Sequence, residues 1–106
     1  MKYVRHLLVA IYILSFFAIS HATTEGPFII GNIYTATGST DYRILFNATI
    51  GSTVYIFQFD PTASAKGNNM LAMLLSAKTA GMQISVDITG SPVGTNWYNI
   101  DQITIQ

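Results

Sequence analysis

Hydrophobic and polar residues alternate strictly in residues 83–89, whereas the central stretch before them does not follow this pattern. From Met70 to Lys78 the sequence consists of Met, Leu, Ala, Ser and Lys, with no proline or β-branched residue. Most of these are strong helix formers, so the stretch predicts a helix. Asn68 or Asn69 is the expected N-cap, because an asparagine side chain accepts a hydrogen bond from a first-turn amide. Gly81 is expected to end the helix in a left-handed conformation.

Five other segments are predicted to be β-strands from their composition, from the turn residues between them or from a two-residue period. β-branched and aromatic residues dominate the first three of them, as is typical of strands. Gly31 lies inside the first and indicates a bulge or a close approach of another backbone. Clusters of Gly, Ser, Thr, Asp, Asn and Pro at residues 38–41, 51–52 and 90–96 predict turns or loops. The predicted strands are residues 28–37, 42–50, 53–60, 83–89 and 97–106.

The resulting order β-β-β-α-β-β predicts a mainly β fold with its helix between the third and fourth strands. Five short strands with one helix in that place are typical of a small closed barrel of the oligonucleotide/oligosaccharide-binding (OB) type, in which the helix plugs one end. The alternative is an open α+β sheet with the helix packed across one face.

The apolar arc of the helix is wider than one packing face needs. Leu71 and Leu75 fall to one side of the main apolar stripe, so they predict a second contact surface such as a subunit interface. The alternative is that they are buried at a helix end or are ordinary exposed leucines. The stripe expected to face the core consists of Met70, Met73, Leu74, Ala77 and Ala80.

Residues 1–22 are typical of a secretory signal peptide. Lys2, Arg5 and His6 form a basic start, a mostly apolar run of 13 residues follows, and small residues precede a cleavage position after Ala22. The run is shorter than the roughly 20 residues that a membrane-spanning helix needs, and the rest of the sequence holds no second such run. We therefore expect a secreted or periplasmic protein whose residues 23–106 form one domain without a membrane span.

Removing residues 1–22 changes the chemistry that is available. The remaining 84 residues contain no Cys and no His, and their three basic and five acidic side chains give a net charge of −2. A chain of this size without disulfides, and without the usual metal ligands, often depends on oligomerisation, although its core alone can suffice. The absence of His and Cys excludes Ser-His-Asp, Cys-His and zinc-hydrolase schemes, and the acids are isolated. We expect no enzyme activity, no cofactor and no metal.

The same inventory separates two classes of ligand. Nucleic acid requires basic residues to neutralise phosphate, and this domain has only three of them with a net negative charge, so we expect no nucleic acid partner. A saccharide is held by aromatic faces and neutral hydrogen-bonding groups, which are plentiful here. Trp97 and Tyr98 are the first candidates, because adjacent strand residues point to opposite faces and one of them must face outward. Tyr34 is a further candidate, and core or interface packing is the alternative for each aromatic residue.

The stretch NNMLAMLLSAKTAGMQISVDIT, residues 68–89, resembles the B subunits of bacterial AB5 toxins of the subtilase-cytotoxin type. The likeness includes the helix, its Thr79-Ala80-Gly81 end and the alternating strand after it. Glu25-Gly26-Pro27-Phe28 is similar to the acidic-Gly-x-Phe start of that family's first strand. In outline the resemblance covers most of residues 23–106, although its specific motif spans about 20 residues.

The resemblance implies an OB-type barrel, a homopentamer with helices lining its centre, binding of a host glycan, and association with a catalytic A subunit. It also assigns Glu25 to a position that helps to bind sugar. Two differences stand against it: the family has a disulfide where this chain has no Cys, and a sialic-acid-contacting Ser where this chain has Ile29. The alternative function is a structural or protein-interaction domain of the bacterial envelope, or an inhibitor, with no small ligand.

Overall fold

A computed structural model describes residues 22–38 and 40–106 of the 106-residue chain. The predicted signal peptide, residues 1–22, lies outside this part except for Ala22, at which the first strand begins. In chain order the elements are β1 (Ala22–Ile29), β2 (Ile33–Thr35), β3 (Ile44–Ile50), β4 (Thr53–Phe59), α1 (Ala65–Ala80), β5 (Gln83–Gly94) and β6 (Trp97–Ile105).

The strands form one mixed sheet in the order β1-β5-β6-β4-β3-β2. The β4–β6 pair is parallel and the other neighbouring pairs are antiparallel. The expectation of a mainly β fold with one helix is confirmed. The expectation of a closed five-stranded barrel is wrong, because the sheet has six strands and does not close, and the helix lies between the fourth and fifth strands.

The additional strand arises because the first predicted strand divides around Gly31. The Gly31 amide donates a hydrogen bond to the Asn47 carbonyl oxygen at 2.7 Å, and the Asn47 amide donates to the Asn32 carbonyl oxygen at 3.0 Å. The Asn47 side-chain oxygen also accepts a hydrogen bond from the Asn32 amide at 2.9 Å. This tight joint confirms the close backbone approach predicted at Gly31. It also separates β1 from β2.

Two strands extend further than the sequence pattern predicts. Residues 90–94, expected to form a loop, belong to β5, and a short turn at Thr95 and Asn96 joins this strand to β6. Gly94 pairs with Trp97 across this turn, after an irregularity in the ladder. At the other end of the chain, residues 23–26 lie within β1, and residues 23–25 pair with β5.

The helix begins earlier than predicted. Ser64 is the N-cap, and its hydroxyl accepts a hydrogen bond from the Gly67 amide at 3.2 Å. Asn68 and Asn69 therefore lie inside the helix, so the prediction that one of them caps it is wrong. The end is as predicted: Gly81 adopts a left-handed conformation with φ 67°.

The helix packs over the aromatic and aliphatic inner face of the sheet. Leu74 is fully buried, and Met73 packs partly buried against the core. Ala80, expected in the core stripe, is exposed, so the stripe ends at Ala77. Within the described residues, no helix is long and apolar enough to cross a membrane. The buried core consists of Phe28, Ile30, Phe46, Ala48, Phe57, Phe59, Met70, Leu74, Ala77, Ile84, Val86, Ile100 and Ile103.

Gly67 fits the helix tightly against the preceding turn, and this gives a test of the packing. Replacing glycine by alanine inside a helix normally stabilises it by about 1 kcal/mol. Here an added Cβ would lie 2.3 Å from the Asp60 carbonyl oxygen. We expect Gly67→Ala to lower the free energy of unfolding by about 1–3 kcal/mol, measured by urea denaturation. Ser76→Ala, at an exposed position of the same helix, is the control and should be neutral or slightly stabilising. A stabilised Gly67→Ala variant would contradict this packing.

Candidate ligand-binding site

A shallow cavity of about 230 Å³ opens where the inner face of the sheet reaches the surface. This cavity, called the tyrosine pocket below, contains two residues that the sequence analysis singled out, Glu25 and Tyr98. The remaining lining residues combine hydroxyl groups with apolar surface. The complete lining is Thr23, Glu25, Tyr55, Ile88, Gly90 and Tyr98.

The pairing of β1 with β5 positions the acidic wall of the tyrosine pocket. Thr23 pairs with Ile88 and Glu25 pairs with Val86, so Thr23 and Glu25 lie two residues apart on one face of β1. Between them, the Thr24 hydroxyl donates a hydrogen bond to Asp87 Oδ1 at 2.8 Å on the opposite face. The ladder shifts register directly after Glu25. Strand pairing therefore fixes the backbone of Glu25, the last paired residue before the shift, beside the pocket.

The aromatic wall consists of Tyr55 from β4 and Tyr98 from β6. Their ring centroids lie 6.2 Å apart with an interplanar angle of 29°. Tyr98 pairs with Phe57 in the parallel ladder, which brings it beside Tyr55 on the same face. Both tyrosines are partly buried against the core. Each can therefore offer part of a ring face or its hydroxyl group while packing fixes its position.

The two other predicted ligand-binding residues lie elsewhere. Trp97 is on the opposite face of β6 from Tyr98, as the strand period requires. Tyr34 is on the edge strand β2, with 38% of its surface exposed. Of the four residues proposed from the sequence, the structure thus brings Glu25 and Tyr98 together and leaves Trp97 and Tyr34 outside the tyrosine pocket.

Trp97 takes part in a polar network centred on Gln58, which is only 4% exposed. Gln58 Oε1 accepts hydrogen bonds from Trp97 Nε1 at 2.9 Å and from Arg43 Nη1 at 2.8 Å. Gln58 Nε2 donates to Asn99 Oδ1 at 2.7 Å. These bonds satisfy both ends of the buried amide, which would otherwise destabilise the fold. The network joins β4 to β6 and to the residue that precedes β3.

Arg43 brings the only close ion pair of the described residues into this network. Its Nε donates to both oxygens of Asp41, at 2.8 and 2.9 Å. The guanidinium carbon lies 6.0 Å from the centroid of the Trp97 ring. Hydrogen bonding to Arg43 lowers the pKa of the Asp41 carboxyl below its usual value. At a separate turn, hydrogen bonds from Thr62 likewise lower the pKa of Asp60.

The predicted interface residues occupy different environments on α1. Leu71 is partly buried and packs against the core, whereas Leu75 is 47% exposed. Sequence reasoning also missed two pocket residues, Tyr55 and Thr23. Alternation puts Tyr55 on one face of β4 with Phe57 and Phe59, which are buried in the core. The proximity of Tyr55 to Tyr98 depends on the parallel β4–β6 pairing, which the sequence pattern does not indicate.

The tyrosine pocket can accept and donate hydrogen bonds and can pack against an apolar ring face. Carboxylate and hydroxyl groups with a tyrosine pair suit a polyhydroxylated ligand better than a purely apolar one. Among the described residues, no group of three Asp, Glu, His or Cys side chains converges in a way that could hold a metal ion.

The fold is similar to that of a cholera toxin-like B-subunit from Citrobacter freundii. The likeness has a TM-score of 0.60 at 14% sequence identity and covers 81% of this chain and 85% of that chain. It shows a toxin B-subunit-like fold and does not single out the subtilase-cytotoxin type. No protein-family model matches the sequence. No curated protein matches it either.

The Asp41–Arg43 pair predicts a defined dependence of stability on pH. Because the pKa of Asp41 is lower in the folded state than in the unfolded state, the pair stabilises the fold above the unfolded pKa of about 3.9. This contribution is lost as the pH falls through the folded value. We expect Asp41→Asn to lower the Tm at about pH 7 and to have a much smaller effect below about pH 3.

Thermal unfolding followed by circular dichroism measures this effect for both proteins across the pH range. Asp101→Asn is the matched control, since it removes the same charge from an exposed carboxylate that lies 4.0 Å from Lys66. An equal loss of Tm at neutral and acidic pH for Asp41→Asn would contradict the assigned role of the ion pair.

Proposed function

We propose that this chain is a secreted, non-enzymatic binding module that holds a saccharide in the tyrosine pocket and acts as an oligomer. The observation that carries the proposal is the convergence of Glu25, Tyr55 and Tyr98 around one cavity on a toxin B-subunit-like fold. Glu25 has a second line of support, because the resemblance to the subtilase-cytotoxin type assigns its position to sugar binding.

The size of the tyrosine pocket favours a small part of a glycan. Its volume of about 230 Å³ is below the roughly 300 Å³ at which typical sites for drug-sized ligands begin. One sugar ring is therefore the expected occupant, with the rest of the glycan outside. The Tyr98 ring would pack against the apolar face of that sugar, and Tyr55, which is stacked on Phe57 and Tyr98, would contribute its hydroxyl group. Glu25 and the Thr23 hydroxyl would accept hydrogen bonds from its hydroxyl groups.

The surface of α1 supports oligomerisation. Between Lys66 and Lys78 none of the helix residues is charged, although a solvent-facing helix normally carries charged side chains there. Leu75 adds an exposed large apolar side chain to this surface. The toxin resemblance implies five copies with their helices lining a central axis, and a catalytic A subunit as a further partner. Lys66, Lys78 and Ala80 are exposed as well but lie outside the uncharged side of the helix. That side, called the α1 face below, consists of Ala65, Asn68, Asn69, Ala72, Leu75, Ser76 and Thr79.

A second candidate function, a protein-interaction domain without a small ligand, is supported by the two sheet edges. Ile29, at the end of edge strand β1, is 55% exposed, and Tyr34 is exposed on edge strand β2. The unpaired backbone groups of an edge strand can form hydrogen bonds with a strand of another chain, and exposed apolar side chains there add contact area. If this chain binds no saccharide and instead binds a partner protein through β1 or β2, this second function is supported over the first.

Binding to a glycan array tests the saccharide proposal directly. For a glycan that the purified protein binds, we expect Tyr98→Ala to weaken binding by about tenfold or more, because an aromatic contact is lost. Tyr98→Phe keeps the ring and should lose less. Tyr42→Ala, at a tyrosine that lies outside the pocket and is 63% exposed, is the control and should bind as the wild type does. Equal loss in the Tyr42 and Tyr98 variants would place the site elsewhere.

Light scattering of the protein, residues 23–106, tests the oligomer. We expect a stable species of about five copies, in line with the toxin resemblance and the uncharged α1 face. Leu75→Glu should shift it towards the monomer, because it introduces a charge into an apolar contact. Gln102→Glu makes the same change of charge at an exposed position of β6 and should leave the oligomer intact. A monomer in the wild type at all concentrations would refute the oligomer.

A further inference from the structure

The charge around the tyrosine pocket is one-sided. Glu25 is the only Asp, Glu, Lys or Arg side chain among the lining residues that the structure describes. The other five residues contribute hydroxyl groups, ring faces, an isoleucine side chain and a glycine backbone. A bound ligand therefore meets a carboxylate with no cation of the pocket beside it.

Each basic side chain of residues 22–38 and 40–106 lies against a partner outside the tyrosine pocket. Arg43 is bound to Asp41 and Gln58 on the opposite face of the sheet. Lys66, near the start of α1, lies 4.0 Å from Asp101. Lys78, in its last turn, donates a hydrogen bond to the Ile30 carbonyl oxygen at 3.3 Å.

This distribution disfavours an anionic ligand. A carboxylated sugar in the pocket would give up part of its hydration and approach Glu25, a group of like charge, without a cation to compensate. An uncharged sugar ring meets no such repulsion, and its hydroxyl groups can donate hydrogen bonds to the same carboxylate. A hydrogen bond with one ionised partner is stronger than a neutral one, so Glu25 can hold a neutral sugar through its hydroxyl groups while it repels a carboxylate.

We propose that the tyrosine pocket selects electrically neutral saccharides against carboxylated ones, and that Glu25 is the residue that makes this selection. The inference rests on the proposed saccharide binding, which it narrows to one chemical class.

Paired ligands that differ only in one carboxylate provide the test. Methyl glycosides of neutral hexoses are titrated into ¹⁵N-labelled protein, each beside its uronic acid counterpart, and N-acetylneuraminic acid is included. Amide shifts of Thr23, Glu25, Gly90 and Tyr98 report on the pocket. We expect at least one neutral glycoside to move these signals and its uronate to bind about tenfold more weakly or not at all.

Two variants assign the selection to Glu25. Glu25→Gln keeps the shape and removes the charge, so it should narrow the ratio of neutral to carboxylated affinity several-fold. Asp101→Asn makes the same change of charge outside the pocket and should leave the ratio unchanged. The role of Glu25 would be overturned if the affinity ratio narrows equally in both variants, or if it does not narrow in Glu25→Gln.

The remaining outcomes separate this inference from the proposed function. If a carboxylated sugar moves the pocket amides at lower concentration than its neutral counterpart, saccharide binding stands and the selectivity is refuted. If neither the titrated sugars nor an array glycan moves these amides, the saccharide site itself is refuted, and the selectivity with it.

Discussion

A row of stacked aromatic rings connects the hydrophobic core to the tyrosine pocket, and the rest of the structure is arranged around it. Phe57 is fully buried, and its ring lies 5.4 Å from that of Phe28 on β1, centroid to centroid. The Phe57 ring also stacks with Tyr55, with centroids 6.2 Å apart, and Tyr55 in turn stacks with Tyr98 at the same centroid distance. Large aromatic side chains contribute much of the apolar area that so small a domain can bury. The same packing that stabilises the fold therefore fixes the aromatic wall of the candidate site.

The sequence predicts the parts of this structure that depend on local chemistry. The body of α1 and its end at Gly81 follow from helix propensity and from the left-handed conformation that glycine allows. Alternation also groups Tyr55, Phe57 and Phe59 on one face of β4, but it does not show which face meets the core. Helix propensity alone puts the start of α1 too late, because Asn68 and Asn69 are both good cap residues. In the structure the helix begins one turn earlier, at Ser64, whose hydroxyl accepts a hydrogen bond from the Gly67 amide. Only a glycine at position 67 leaves room for the Asp60 carbonyl oxygen there.

The parts that could not be predicted depend on contacts between distant residues. The break between β1 and β2 is made by hydrogen bonds from Gly31 and Asn32 to Asn47, about 15 positions along the chain. The extension of β5 through a Gly-Ser-Pro segment depends on its pairing with β6. The parallel pairing of β4 with β6 brings Tyr55 to Tyr98. For the site, alternation shows that Trp97 and Tyr98 point to opposite faces, but only the sheet order decides which of them reaches the pocket and which one bonds to Gln58.

The two halves of the proposed function depend on one another. A pocket that holds one sugar ring gives few contacts: at about 0.3 kcal/mol per non-hydrogen atom, a ring of roughly 12 such atoms gains only about 4 kcal/mol, which corresponds to a Kd of about 1 mM. Such a site becomes useful when several copies act together, because linked sites raise the overall affinity by roughly 10²–10⁴ without new contacts. In the described part of the chain no residue of α1 lines the tyrosine pocket. The α1 face can therefore assemble copies while each pocket remains open, and a charge at Leu75 would reduce the affinity for a multivalent glycan surface while leaving the affinity of a single pocket unchanged.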